Sequence, residues 1–222
     1  MKAKSILLAA TVVAASALSS SAQTVFSVNA VGFVNKTFPN GQFTLASNPL
    51  SAANNTVDAL FPDAPAGCII YKFDGAGFGT PNTRGGFGAL SWSNPSMTLV
   101  PGEAFFFRNN SGSDYSVTFV GDVPQGTLTT PLNDGFSLVA SQVPVVGGVG
   151  TDLKLPEAAG TVVYTWNGTT YTPYSLGGFG SLSWSPSEPI IGVGQGFWVR
   201  RSGATEWKVS FDVNNGSINT VN

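Results

Sequence analysis

Apolar residues recur at every second position in short runs along this chain, and glycine, proline, asparagine and aspartate punctuate the runs. That pattern predicts strands joined by turns. Ile69, Tyr71 and Phe73 alternate with Ile70 and Lys72, and Asp74-Gly75 follows. Val162 to Trp166 ends in the same way on Asn167-Gly168. Both dipeptides tolerate positive φ and predict tight hairpins, with return arms at Phe78 in one case and Tyr171 to Tyr174 in the other. Ala104 to Arg108 carries aromatics on both faces, Phe105 and Phe107 against Phe106; Phe197 and Val199 stand likewise against Trp198. Such a strand is covered on both sides, or shows one aromatic face to a partner. One helical turn is predicted at Thr56 to Phe61, with Asn55 or Thr56 as N-cap and Pro62 beyond its end.

The same landmarks occur twice. Gly85-Gly86-Phe87-Gly88-Ala89-Leu90-Ser91-Trp92-Ser93 returns 92 residues later as Gly177-Gly178-Phe179-Gly180-Ser181-Leu182-Ser183-Trp184-Ser185, with one Ala/Ser difference. Phe43-Thr44-Leu45 matches Phe136-Ser137-Leu138, and Gly102-Glu103-Ala104-Phe105 matches Gly194-Gln195-Gly196-Phe197. Val117-Thr118-Phe119 matches Val209-Ser210-Phe211, and all offsets lie between 91 and 94. A period of this size predicts a tandem repeat. The expected fold is all-β, with two homologous sandwich-like or barrel-like modules. Residues 23–126 form the first, with an extra N-terminal strand; residues 127–213 form the second; residues 214–222 are a polar, fraying tail. The extra strand, Val25 to Phe38, has no counterpart before the second copy unless Gly126 to Leu132 takes that place. It is expected to bridge to the second copy, so that the modules share a sheet.

The N-terminus adds a destination. Lys2 and Lys4 precede an apolar run from Ile6 to Leu18, and small residues at Ser20 and Ala22 fit cleavage after Ala22. Residues 1–22 therefore predict a secretory signal peptide. The run falls short of the roughly 20 residues of a membrane span, and no later segment is long and apolar enough, so no span is expected in the mature chain. Export across the inner membrane follows, to the periplasm, the cell surface or the medium. Removing the signal leaves eight basic against twelve acidic residues, a balance without the basic face that nucleic acid requires.

Candidate chemistry is sparse. The chain has no histidine, which removes the commonest general base, the usual Ser-His and Cys-His pairs and histidine metal sites. One cysteine, Cys68, permits no intramolecular disulfide and is expected to be a buried small hydrophobe. No D-x-D-x-D-G calcium loop occurs, and the glycine clusters open no helix that would cradle phosphate. No catalytic, cofactor or metal residue is therefore assigned. The acids stand mostly alone in turns, and Glu103 faces Gln195 at the matching place of the second copy. The candidate ligand platform is Trp166, Tyr171 and Tyr174, whose rings would stack on sugars. The alternative is that Trp166 is a core anchor, as its match Phe73 suggests.

The order Phe43-x-Leu45, Asn48-Pro49, Tyr71 and Pro101-Gly102-Glu103-Ala104-Phe105-Phe106 resembles a β-rich repeat of secreted and surface proteins of Gram-negative bacteria. The second copy keeps Phe136, Leu138, Tyr164 and Gly194 to Trp198 but has Gln142-Val143 in place of Asn-Pro. The resemblance implies an extracellular β module and transfers no catalytic residue. The expected function is a non-catalytic structural or adhesive module of the cell surface or extracellular matrix, with polysaccharide or other surface proteins as partners. A carbohydrate-binding module using the second hairpin's aromatics is the first alternative. A carboxylate-based hydrolase is the second.

Overall fold

The structure, a computed structural model, describes residues 30–86, 88 and 90–221. The segment read as a signal peptide lies outside the described residues. The protein is almost wholly β, with one short helix and several antiparallel sheets.

The first half runs β1 (Val31–Phe38), β2 (Phe43–Ser47), α1 (Val57–Leu60), β3 (Cys68–Lys72), β4 (Asn82–Gly85), β5 (Ser91–Trp92), β6 (Ala104–Asn109) and β7 (Tyr115–Asp122). The second runs β8 (Gly126–Leu132), β9 (Gly135–Ala140), β10 (Gly147–Gly148), β11 (Val162–Trp166), β12 (Tyr171–Gly177), β13 (Ser183–Ser185), β14 (Ile190–Ile191), β15 (Gly196–Arg201), β16 (Thr205–Asp212) and β17 (Ser217–Thr220). The helical turn sits where the sequence places it, with Thr56 as N-cap.

One five-stranded sheet has the order β2-β6-β3-β4-β5 and another the order β9-β15-β11-β12-β13. Strand for strand, these orders correspond. In the first half β1 pairs with β7, from Val31 opposite Asp122 to Phe38 opposite Tyr115. In the second half β8 pairs with β16, from Gly126 opposite Phe211 to Leu132 opposite Thr205. Gly126 to Leu132 thus does for the second half what β1 does for the first. The expectation that the N-terminal strand bridges to the second copy is overturned, because all eight residues of β1 take their ladder from β7. In this register Val34 and Phe38 point into the first core together with Val117 and Phe119, so the apolar faces of both strands lie on one side.

The chain end is not a frayed tail. β17 folds back on β16 through the turn Asn214-Asn215-Gly216, where the Asp212 carboxylate accepts the Asn214 N–H at 2.8 Å, and Ile218 packs on the second core. A single apolar residue in a polar stretch suffices once a neighbouring strand offers an open edge.

Each half has its own core. The first centres on Phe61, whose ring lies 5.3–6.0 Å from Phe38, Phe105, Phe107 and Phe119. The second gathers Val139, Leu153, Val163, Phe197, Val199 and Trp207. A third apolar cluster lies between the halves and joins Leu45, Ala104 and Phe106 to Leu138, Ala140 and Trp198. It accounts for the doubly apolar strands: one face of β6 and of β15 fills its own core, and the other covers the opposite half.

Candidate functional site

The junction is built from reciprocal contacts. Ala46 bridges to Gln195, and the sequence-matched pair Val139 and Glu103 bridges in the same sense. The Ser47 N–H donates to Gly194 O at 3.1 Å, and the Ala140 N–H donates to Gly102 O at 3.0 Å. The rings follow the same exchange. Phe106 meets Trp166 edge-on at 5.9 Å, while Trp198 meets Phe73 edge-on at 4.8 Å. Phe106 meets Phe43 at 6.2 Å and Trp198 meets Phe136 at 5.9 Å, again edge-on. Edge-to-face pairs at these separations are favourable beyond the area they bury.

The two hairpins that carry these rings are shaped alike. Asp74 Oδ1 accepts the N–H groups of Ala76 and Gly77, both at 2.9 Å. Asn167 Oδ1 accepts those of Thr169 and Thr170 at 2.9 and 2.8 Å. Gly75 and Gly168 both adopt a φ of +101°, which a side chain would strain. The two N–H bonds hold the Asp74 carboxyl below the usual carboxylate range, so it stays ionised and offers no proton at neutral pH.

Of the three aromatics singled out by the sequence, the structure brings two together. Trp166 and Tyr171 face each other across the ladder with ring centroids 4.7 Å apart. The Trp166 Nε1–H donates to Phe43 O, in the opposite half, at 2.8 Å. The Tyr171 hydroxyl accepts the Trp198 Nε1–H at 3.3 Å, and its ring is 43% exposed. Tyr174 does not join them. It stands opposite Val163, a residue of the second core, and therefore on the other face of the sheet. Three residues along a strand invert the side, so Tyr171 and Tyr174 cannot share a platform.

Two aromatic clefts open beside the junction. One, of about 330 Å³, is lined by Phe43, Tyr71, Phe78, Phe106, Trp166 and Tyr171. The other, of about 520 Å³, is lined chiefly by Phe73, Phe136, Tyr164, Tyr171 and Trp198. Phe43, Tyr71 and Phe106 in the first match Phe136, Tyr164 and Trp198 in the second by sequence. Tyr171 stands on the rim of both. Sequence reading passed over Phe43, Phe78 and Phe136 as cleft residues; the signal was present in the Phe43/Phe136 match.

A separate polar crevice of about 450 Å³ holds Lys72, Asp74 and Glu103 beside Thr129, Asn133 and Gln142. Glu103 forms an ion pair with Lys72 at 2.9 Å and accepts the Val100 N–H at 3.1 Å. Gln195 at the matching place accepts the Gly192 N–H at 2.9 Å. Acid and amide are interchangeable because the shared task is to accept an amide proton three residues upstream. Among the described residues, no group of three or more His, Cys, Asp and Glu is placed to hold a metal ion, and no helix is long and apolar enough to cross a membrane.

Compared with family models, curated proteins and solved structures, the chain matches none of them.

Proposed function

We propose that this chain is an exported, non-catalytic structural or adhesive protein made of two copies of one module, locked face to face into a rigid two-lobed unit. The reading is carried by the reciprocal junction. Sequence-matched residues exchange places across it, as in an isologous two-fold contact. The aromatics with the greatest potential as a ligand platform already have partners at the junction: the Trp166 Nε1–H bonds Phe43 O across it, and the Tyr171 hydroxyl accepts from Trp198 within its own half. Asp74 and Glu103, the acids nearest the junction, are held by backbone amides and by Lys72.

Fractionation of the producing cell, with mass spectrometry of the mature N-terminus, tests export; the expected product begins at Gln23. Turnover of any substrate by the purified protein, abolished by one carboxylate substitution, overturns the non-catalytic reading.

A second reading rests on the exposed Tyr171 ring at the mouths of both clefts. An aromatic rim on a stiff scaffold suits the apolar face of a sugar ring. Affinity electrophoresis against soluble glycans tests it: retardation lost in Tyr171→Ala supports carbohydrate binding, and no retardation on any glycan excludes it for those tested.

A further inference from the structure

The part of the chain that is most alike between the halves is also largely exposed among the described residues. Gly85 to Ser93 and Gly177 to Ser185 agree at eight of nine positions, whereas the buried strands Ala104 to Asn109 and Gly196 to Arg201 agree at only two of six. Loops ordinarily drift faster than the cores that support them, so retained identity in a loop points to function. In the second copy this segment is the turn between β12 and β13, and Phe179 at its tip is 109% exposed. Leu182 is exposed beside it, as is Leu90 at the matching place.

The loops are shaped as well as alike. Gly86 and Gly178 have φ of +150° and +149°, and Gly88 and Gly180 have +98° and +90°. A Cβ on Gly178 would lie 2.2 Å from Ser181 O. In the second half the glycines therefore fix a turn that thrusts Phe179 outward. A lone projecting ring is a knob and needs a hole.

We propose that the knob Phe179 inserts into an aromatic junction cleft of a second copy of this chain, so that the protein assembles with itself. The inference rests on the two-copy, non-catalytic reading and names the partner. The clefts are the complementary feature: both are lined by aromatic rings and open on the rim carrying Tyr171 and Phe78, which are 43% and 48% exposed. A benzyl group entering there meets rings that already pair edge-to-face with one another. Knob and hole are different surfaces, so the contact is heterologous and propagates into open chains or rings rather than closing as a dimer. A lipid surface is the poorer fit. Gly177 to Ser185 carries no basic residue, and the chain is net acidic, so nothing draws the loop to anionic headgroups.

Sedimentation velocity of the mature chain, residues 23–222, over a concentration series tests the proposal with two variants. Phe179→Ser removes the knob, and Tyr171→Glu places a charge on the rim of both clefts. Circular dichroism and thermal melting of each variant establish that it is folded. The expected result is concentration-dependent oligomers of the unmodified chain and monomers of either variant alone. An equimolar mixture of the two variants should form complexes, because one keeps its holes and the other its knob. A monomeric unmodified chain overturns the proposal, as do oligomers that persist without the knob or variants that fail to complement. Knob-dependent binding to vesicles of anionic phospholipid with no self-association also overturns it. A monomeric protein that is exported and turns over no substrate would sink self-assembly and leave the non-catalytic reading standing.

Discussion

Gly196 and Ala104 occupy matching positions in the two halves, and they meet each other at the junction: a Cβ built on Gly196 would lie 2.6 Å from the Ala104 Cβ. There is room for one methyl group between the lobes at this point, and Leu45 closes the remaining side at 3.1 Å. The two halves divide what neither could hold twice.

Gly196→Ala is therefore expected to overpack the junction, at a cost of about 1–3 kcal/mol. Adding Ala104→Gly should recover most of the loss, because the pair then differs from the natural one only in which lobe carries the methyl. Urea denaturation of both single variants and the double variant measures this coupling. Simple additivity would show that the contact is not shared.

Trp166→Phe keeps a ring against Phe106 but leaves Phe43 O without its donor. A loss of about 1 kcal/mol is expected from the missing bond. Phe73→Trp at the matching site gains no such bond by itself and should not stabilise. Thermal melts of the two variants decide the comparison.

The matched tryptophans of the repeat should differ in the same way. Trp92 is buried and its Nε1–H donates to Phe61 O at 3.2 Å, while the buried Trp184 Nε1 has no partner among the described residues. Trp92→Phe is expected to cost about 1–2 kcal/mol more than Trp184→Phe. Equal losses in chemical denaturation would mean that the bond to Phe61 contributes nothing net.

Cys68 is fully buried, and desolvation pushes its thiol up to about 11 despite the counteracting charge of Arg84. The folded thiol should therefore resist alkylation near pH 8 until the protein is unfolded. The unfolded chain ionises this thiol first, near its ordinary value of 9.0, so folding stability should fall as pH rises from about 9 towards 11. Cys68→Val should show a shallower decline over that range. Tyr115, pushed up to about 12 chiefly by burial, adds a further loss above pH 10 in both proteins.

Much of the architecture was legible from local chemistry. Asp74-Gly75 and Asn167-Gly168 marked the hairpins because their backbone preferences are local, and alternation in Ile69 to Phe73 and Phe105 to Phe107 marked strands and the sides they face. The doubly apolar β6 and β15 even announced that something must cover their second face. The site was legible only in part. Trp166 and Tyr171 share a face because the hairpin sets them directly opposite each other in one ladder, whereas Tyr174, close to them in sequence, falls on the other face. The strand Val31 to Phe38 could have paired with either half as far as its own pattern went, and the polar tail gave little sign that Ile218 would anchor a strand.

The sequence by itself determined strands, turns, the repeat and the faces that must be buried, because each depends on a residue and its near neighbours. What covers those faces was decided by the tertiary structure. Phe106 and Trp198 could have met solvent, a foreign partner or each other's lobes, and residues some ninety positions apart had to be brought together before the choice existed. The one-methyl fit of Gly196 against Ala104 is the sharpest instance: each residue is unremarkable in its own strand, and only the packing of the two lobes makes the difference between them necessary.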